Sequence, residues 1–186
     1  MLQHGKYILR PIEQKDLPIL LEWRNSERIS SEMLSTHKIT WEEHEAWFKR
    51  IRQQKTPRNF VFCYEEQVIG YMGFSDWDEE NKRCSSGSYL GVITNVPIDA
   101  GLFLDYMGLE YIFSQTEMNK VWSYVFEHNK RAYKLNLLLG YKDEGYLRQH
   151  FLQNGKLRDV HVIGILRSEW KQEKKRIDQL YGGAEA

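Results

Sequence analysis

The stretch that decides the fold is NKRAYKLNLLLGY, residues 129–141, which follows the apolar run KVWSYVFE at 120–127. Asn129 stands where the apolar run ends, and an Asn side chain there can cap a helix and can also hold amide and carbonyl groups of a ligand. Apolar residues then recur at helical spacing, at Ala132, Leu135 and Leu139, before a Gly140 that is typical of a helix end. The stretch therefore predicts a strand, an Asn-capped helix and a ligand-binding junction between them.

Length and charge narrow the class of protein. The chain has 186 residues, 41% of them apolar, which is enough for one substantial core and is most simply one domain. Lys plus Arg and Asp plus Glu both number 26, so no overall basic field draws the protein to nucleic acid or to an anionic membrane. No apolar run is long enough to span a bilayer, and the first residues lack a signal-peptide pattern. We therefore expect a cytoplasmic protein without nucleic-acid or membrane partners.

The cysteine and histidine content predicts neither a disulfide nor a metal site. Cys63 lies in a strand-like run and Cys84 in a polar region, and two cysteines do not make a disulfide scaffold in a chain of this size. The six His residues lack the spacing of zinc ligands. We expect two free thiols and no bound metal.

Two helices are predicted near the amino terminus. The segment DLPILLEWRN, residues 16–25, starts with Asp16 as a helix cap and has apolar residues along one side. The segment TWEE at 40–43 is a capping box, in which Glu43 reaches back to Thr40. Residues 30–38 between the two helices are predicted to be a loop. The second helix carries a stripe of large side chains at helical spacing: His44, Trp47, Phe48 and Ile51.

The rest of the chain alternates strand-like and helical runs. NFVFCY (59–64) and QVIGYMGF (67–74) predict an antiparallel hairpin, and the polar run 75–87 predicts a connection. Next come a strand at 88–93, a loop at 94–101, a helix at 102–115 and the central strand KVWSYVF. The Asn154-Gly155 pair favours a tight hairpin between two further strands, and residues 171–186 are predicted to be a charged tail.

The spacing of Asn129, Ala132 and Leu135, followed by Gly140 and an aromatic residue, resembles the last conserved block of the GNAT acetyltransferases. The order of elements is similar to that family from end to end, and the closing segment, residues 140–170, resembles the branch that includes ribosomal-protein N-acetyltransferases and several sugar-nucleotide N-acetyltransferases. The resemblance implies a single α/β domain over residues 1–170. It also implies a mixed, mostly antiparallel sheet that splays between two strands, with helices on both faces, and acetyl-CoA as the acetyl donor.

The resemblance also assigns residues to the cofactor. Backbone groups of Val92, Ile93 and Thr94 would hold the pantetheine arm, Gly101 and Leu102 would hold phosphate at a helix start, and Asn129 would bind the cofactor's amide groups. Lys134 would add positive charge. The phosphate loop departs from the family pattern at Asp99, where a small residue is usual, and an acidic side chain is unfavourable beside a pyrophosphate if it points inward.

The catalytic candidates are Glu127 and Asn136. Glu127, at the end of the central strand, is the carboxylate best placed to accept the amine proton, directly or through water. Asn136 occupies the position of the family's usual Tyr, whose phenol protonates the departing thiolate; an amide can donate a hydrogen bond but cannot act as an acid. The oxyanion donor implied by the fold is a backbone N–H near Val92. His128 and His44 are weaker candidates for the base.

The amino-terminal third suggests the acceptor. The segment from Glu22 to Phe48 resembles the N-acetyltransferases that modify a 4-amino sugar on UDP in pseudaminic acid synthesis, as does Tyr89 before the cofactor loop. An Arg can form a two-pronged contact with phosphate, and aromatic and Met side chains can cover a base or a deoxy-sugar methyl group. The residues that the resemblance assigns to the acceptor are Arg24, Asn25, Met33, His44, Trp47 and Tyr89.

Three functions are consistent with the sequence. The first is N-acetylation of an amino-sugar nucleotide by direct transfer in a ternary complex. The second keeps the chemistry but uses a protein amino terminus or another small amine as acceptor. The third is a non-catalytic CoA-binding module, which the departures at Asp99 and Asn136 favour. Proteins of this fold often dimerise, so a homodimer is one of the oligomeric states that the sequence allows.

Overall fold

The computed structural model describes residues 1–181, which form one sheet with helices on both faces. The strand order is β1-β2-β3-β4-β5-β6-β8-β7, and every neighbouring pair is antiparallel except β5 and β6, which are parallel. This arrangement confirms the predicted fold class. The strands are β1 (Leu2–His4), β2 (Tyr7–Pro11), β3 (Asn59–Tyr64), β4 (Gln67–Asp78), β5 (Arg83–Leu90), β6 (Lys120–Phe126), β7 (Lys142–Gln153) and β8 (Lys156–Leu166). The helices are α1 (Leu17–Asn25), α2 (Glu27–Ser30), α3 (Trp41–Arg52), α4 (Ala100–Gln115), α5 (Lys130–Leu138) and α6 (Arg167–Tyr181).

The parallel pair β5–β6 is short, and the sheet opens beyond it. The two strands pair only from Arg83 to Ser85 on β5, opposite residues 120–122 on β6. One step further, the Ser123 hydroxyl donates to the Ser86 carbonyl at 2.7 Å and closes the end of the pairing. The remainder of β5, up to Leu90, has no partner on β6. We call the space between the two strands beyond Ser86 and Ser123 the strand gap; it confirms the predicted splay.

The sheet has two covered faces. The α4 face carries the larger core, to which α4, α5 and α6 contribute, and the α1 face carries a second core built with α1 and α3. Helix α4 is buried around most of its circumference, which matches its nearly uniform apolar sequence. At the end of β5, a Cβ on Gly91 would lie 2.0 Å from the Trp23 ring, so only glycine lets α1 pack this close to the strand gap.

Local hydrogen bonds and backbone angles confirm two predicted helix caps and one predicted turn. The Thr40–Glu43 capping box is formed, with the Thr40 N–H donating to the Glu43 carboxylate at 2.7 Å. The Asn129 side chain accepts from the Ala132 N–H at 3.1 Å, which caps α5. Asn154 and Gly155 have φ angles of 50° and 74°, as a two-residue hairpin turn requires.

The predicted Asp16 cap is wrong. The Asp16 carboxylate makes no cap bond to α1; it accepts two hydrogen bonds from the Arg10 guanidinium, at 2.7 and 2.8 Å, and one from the Glu13 N–H. An Arg side chain on the neighbouring strand offers a stronger, charge-assisted pair than a helix amide does. Inside the region predicted as a loop, Ser30 ends the short helix α2.

The strand limits around β5 also differ from the prediction. The run 75–87 is mostly strand, because β4 continues to Asp78 and β5 begins at Arg83. The predicted strand 88–93 ends at Leu90 instead. There the N–H groups of Gly91 and Val92 both donate to the Ile69 carbonyl, at 2.8 and 3.1 Å, which turns the chain away from the sheet.

The predicted charged tail is largely helix α6. Trp170 and Ile177, seven residues apart, lie on one side of this helix and are 3% and 1% exposed. The Trp170 indole donates to Glu110 at 3.2 Å, and Asp178 accepts from the Tyr106 hydroxyl at 2.6 Å, so α6 packs on α4. Two apolar anchors among many charges gave too weak a periodicity to predict a packed helix. Residues 182–186 of the predicted tail lie outside the described residues.

Both cysteines are buried free thiols, as predicted. In residues 1–181, the structure contains no helix that combines the length and the apolar character needed to cross a membrane.

Candidate active site

The start of α4 faces the strand gap. A Cβ on Gly101 would lie 3.8 Å from both Leu90, at the end of β5, and Leu135 of α5, so three elements converge at this residue. The backbone N–H groups of Gly101 and Leu102 have no acceptor among the described residues, as expected in the first turn of a helix. The positive end of a sixteen-residue helix therefore presents free donors to an anionic group at the gap.

Asp99 does not point at those donors. Its carboxylate accepts a hydrogen bond from the Tyr7 hydroxyl on β2 at 2.6 Å and makes no cap bond to α4. Burial and the Asp99 carboxylate both raise the pKa of the Tyr7 phenol, which keeps it neutral and donating. The hydrogen bond from Tyr7 of β2 thus holds the Asp99 side chain beside the start of α4.

The backbone at the end of β5 is only partly available. The Val92 N–H is bonded to Ile69, so the expected oxyanion donor near Val92 cannot be this group. Ile93 and Thr94 follow on the exposed side of the turn. Arg28 of α2 donates to the carbonyls of Leu90 and Gly91, at 3.0 and 2.6 Å. Arg28 was not predicted from the sequence, because its partners lie more than sixty residues away.

Helix α5 forms the other side of the gap. The side-chain oxygen Oδ1 of Asn129 accepts the capping hydrogen bond from the Ala132 N–H, and its Nδ2 has no hydrogen-bond partner among the described residues. Lys134 is exposed on the outer side of α5. Asn136 donates to the Ala132 carbonyl of its own helix at 2.8 Å, so its amide is engaged within α5.

Two of the three candidate bases, Glu127 and His128, lie at the carboxyl end of β6. Glu127 is exposed, and its N–H donates to the Asp159 carbonyl of β8 at 3.1 Å. His128 stacks on Phe126, with its Nε2 3.3 Å from a carboxylate oxygen of Glu32.

An aromatic surface covers the α1 face beside the gap. Tyr89 of β5 stacks on Tyr71 of β4 with ring centroids 5.2 Å apart, and Trp47 of α3 lies 6.5 Å from Tyr71. Because Ser85 and Trp122 are paired, the side chains of Tyr89 and Tyr124 point to the same side of the sheet. Tyr124 continues the surface to Phe151 of β7, at 5.4 Å.

Arg24 lies within this surface. One of its terminal nitrogens donates to the Ser35 carbonyl at 2.6 Å. The other, Nη1, is buried and has no hydrogen-bond partner among the described residues. Burial lowers the pKa of the Arg24 guanidinium, while Tyr89 and Tyr71 oppose that shift, and no carboxylate within residues 1–181 pairs with its charge.

The other predicted acceptor residues serve the scaffold around this surface. His44 is 5% exposed, its Nε2–H donates to the Leu17 carbonyl at 3.0 Å, and burial lowers its pKa. Asn25 both donates to and accepts from Ile39, at 2.8 and 2.9 Å, and so fixes the loop before α3. Met33 packs on the second core. The structure brings Arg24, Trp47 and Tyr89 together but does not bring His44 to an open surface.

The β7–β8 hairpin closes one side of the α1 face. Gln153, 2% exposed, donates through Nε2 to the carbonyls of Ser31 and Met33, at 2.9 and 3.1 Å. The tip of the hairpin is thereby tied to the loop between α2 and α3. In the sequence Gln153 precedes an Asn-Gly pair and looked like an ordinary turn residue.

A sheet that opens at a parallel pair, with a free helix start at the opening, defines an α/β protein of GNAT type. The family model described as an acetyltransferase (GNAT) domain matches residues 6–142. The chain therefore belongs to the GNAT acetyltransferase family and is an N-acetyltransferase. Among residues 1–181, no group of three or more His, Cys, Asp or Glu side chains is arranged to hold a metal ion.

The proteins similar to this chain include acetyltransferases from two bacteria. The acetyltransferase PseH of Campylobacter jejuni is 26% identical over 160 residues, which cover 86% of this chain and 92% of PseH. The spermidine N(1)-acetyltransferase of Vibrio cholerae is 25% identical over 169 residues, covering 90% and 96%. A crystal structure of spermidine N-acetyltransferase from Vibrio cholerae, in complex with CoA and spermine, has a TM-score of 0.83 at 21% identity and covers 90% of this chain and 99% of its own. That likeness shows the fold and leaves the acceptor open.

Proposed function

We propose that acetyl-CoA binds in the strand gap from the α4 face. The free N–H groups of Gly101 and Leu102 suit the pyrophosphate, since backbone donors at a helix start bind phosphate oxygens. The pantetheine arm would run along the end of β5, past the backbone of residues 92–94, towards Ser86. Asn129 Nδ2 would donate to an amide carbonyl of the arm, and Lys134 would add charge near the phosphates.

The acceptor is an amino-sugar nucleotide, of the UDP-4-amino-4,6-dideoxy type, bound on the α1 face. The observation that carries this proposal is the Arg24 guanidinium, whose Nη1 is buried beside two phenol rings with no hydrogen-bond partner in the described part of the chain. A buried, unpaired charge is costly, and a diphosphate would supply both the missing acceptor and the opposite charge. The resemblance of residues 22–48 to the N-acetyltransferases that modify a 4-amino sugar on UDP supports the same acceptor class.

The neighbouring side chains suit the rest of such a molecule. Trp47 and Tyr89 offer aromatic faces to a base or to the apolar side of a sugar, and Met33 lies on the loop that the hairpin holds. His44 and Asn25 would act indirectly, by holding Trp47 and the loop before α3. The sugar amine would approach the gap between Tyr89 and Tyr124.

Transfer is direct, in a ternary complex. The two ligands would enter from opposite faces of the sheet and meet in the gap, which removes the need for a covalent acetyl-enzyme. The neutral amine attacks the thioester carbonyl, and Glu127 accepts the amine proton through a water molecule.

A polyamine is the second candidate acceptor, because the spermidine N(1)-acetyltransferase covers nearly the whole chain at similar identity. Arg24 opposes it: an unneutralised guanidinium on the α1 face repels a polycation and attracts a diphosphate. No contact in the site favours a peptide amino terminus.

The test is release of free thiol from acetyl-CoA with a matched set of acceptors. These are a UDP-4-amino sugar, the same amino sugar without UDP, spermidine and a peptide with a free amino terminus. We expect turnover with the UDP-linked sugar and at least about 100-fold less with the free sugar, because the charge-assisted contact between Arg24 and the diphosphate is missing. Equal turnover of the two sugars, or turnover confined to spermidine, would reject the nucleotide acceptor.

A further inference from the structure

A polar pair lies on the α4 face of the strand gap. Ser88, in the part of β5 that has left β6, donates its hydroxyl proton to Asp105 of α4 at 2.5 Å. Burial raises the pKa of Asp105 to about 6, and the Ser88 bond only partly opposes this shift. Asp105 makes no other hydrogen bond within residues 1–181, although a carboxylate has room for several.

The location of the pair follows from its neighbours. Asp105 comes one helical turn after Gly101, and Ser88 comes two residues before Leu90 on the same side of β5. The pair therefore lies between the helix start and the closed end of the gap at Ser86. A cofactor that binds its phosphates at Gly101 and extends into the gap must bring its reactive end into this stretch.

The position that carries the acid in many relatives cannot do so here. Asn136 has no acidic proton, and its amide is bonded to Ala132. The Tyr141 hydroxyl lies 3.3 Å from the Ser86 hydroxyl, but burial raises the pKa of its phenol and, among the described residues, no carboxyl group is bonded to it that could resupply its proton. Ser88 differs from these groups in that its hydroxyl is bonded directly to a carboxyl group, that of Asp105.

We propose that Ser88 is the catalytic proton donor to the departing thiolate and that Asp105 is the positioning residue that resupplies its proton. When Asp105 is protonated, its O–H donates to Ser88, and the Ser88 hydrogen is free to point into the gap. As the amine forms its bond to the acetyl carbon, the C–S electron pair goes to sulfur, Ser88 gives its proton to sulfur, and Asp105 gives its proton to Ser88. Asp105 is left as a carboxylate and regains a proton from solvent, and the amine's proton leaves through water. The inference rests on acetyl transfer in the gap but on no particular acceptor.

The test compares Ser88→Ala and Asp105→Asn with Asp178→Asn, which removes a carboxylate bonded to another α4 side chain, Tyr106, away from the gap. Single-turnover acetyl transfer is measured with whichever amine the wild type uses, and the dissociation constant of CoA is measured by calorimetry. We expect transfer to fall about 100-fold in the first two variants, the usual size of a general-acid contribution, with CoA affinity within about twofold. Asp178→Asn should keep the wild-type rate.

The pH profile separates proton donation from a structural role. The pKa of Asp105 is raised, so its protonated form is lost as pH rises through about 6, and the wild-type kcat/KM for acetyl-CoA should fall on that side. Tyr141, which lies near Asp105, and Cys84, which lies near Tyr141, have pKa values raised by burial and stay neutral there. Asp105→Asn should lack the falling limb.

Unchanged transfer in folded Ser88→Ala, or equal losses of rate and CoA affinity, would overturn the proposal. If Asp105→Asn does not fold, Ser88→Ala decides alone. If the protein acetylates another amine but no UDP-sugar, only the acceptor assignment is rejected.

Discussion

The α4 face and the α1 face meet at the same strand gap but are built differently. On the α4 face the groups offered to a ligand are mostly backbone donors, at Gly101 and Leu102, together with one amide, Asn129. On the α1 face they are side chains brought together from distant segments, with Arg24 and Trp47 from helices and Tyr89 from the sheet. Backbone groups suit a ligand shared by a whole family, whereas side chains can change with the acceptor. Substitutions on the two faces should therefore affect different ligands.

The largest difference between the effect on the acceptor and the effect on CoA is expected for Arg24→Gln. Removing the guanidinium should lower kcat/KM for the acceptor by about 100-fold, because a charge-assisted contact with a diphosphate is lost. CoA affinity, measured by calorimetry, should stay within about twofold. Arg50→Gln, on the exposed side of α3, is the matched control and should behave as the wild type. Equal losses for both ligands would remove Arg24 from the acceptor site.

Gln153→Ala should affect the same face less strongly. The hairpin would lose two buried hydrogen bonds to the Ser31 and Met33 carbonyls, each worth ~1 kcal/mol. We expect the acceptor KM to rise about tenfold, with acetyl-CoA KM unchanged, in steady-state assays. Leu152→Gln, at the neighbouring 70% exposed position, should leave both values unaltered. If Gln153→Ala raised the acetyl-CoA KM instead, the hairpin would not belong to the acceptor side.

Asn129→Ala should act on the opposite face. The loss of the helix cap should cost ~1 kcal/mol of stability, and the loss of Nδ2 should weaken CoA binding about fivefold. The acceptor KM should not move. Thermal unfolding and calorimetry measure the two effects separately, and Asn129→Asp retains the cap while removing the donor. An unchanged CoA affinity in both variants would leave Asn129 with a purely structural role.

The smallest effect is expected from Lys134→Gln. An exposed Lys contributes little, so CoA affinity should fall only about twofold at low salt and not at all at high salt. Lys171→Gln, exposed on α6, is the control. A salt-independent loss would mean that Lys134 binds phosphate directly.

The same contrast explains what the sequence could predict. The Asn129 cap, the Thr40–Glu43 box and the Asn154-Gly155 turn depend on neighbours within a few residues, so the local pattern was sufficient. The helix predicted at 102–115 begins at Ala100, two residues earlier, and Gly101 was assigned through the family resemblance rather than a local pattern. Helix α6 was missed because its burial depends on α4, sixty residues earlier, rather than on its own composition.

Contacts between distant segments account for the remaining errors. The occupied Val92 N–H, the Arg28 bonds to β5 and the Gln153 clamp each join parts of the chain that no local pattern relates. Asp105 stood within a correctly predicted helix, but only the fold shows that it faces Ser88. Arg24 was predicted as a phosphate ligand, and the structure adds that one of its nitrogens is buried with no hydrogen-bond partner in residues 1–181.

The most direct test is a calorimetric titration of UDP into the protein, first alone and then saturated with CoA. Ligands that enter from opposite faces should bind together, so we predict UDP binding with nearly the same dissociation constant in both titrations and its loss in Arg24→Gln. Competition between UDP and CoA, or UDP binding that survives Arg24→Gln, would contradict the assignment of the α1 face to a nucleotide-linked acceptor.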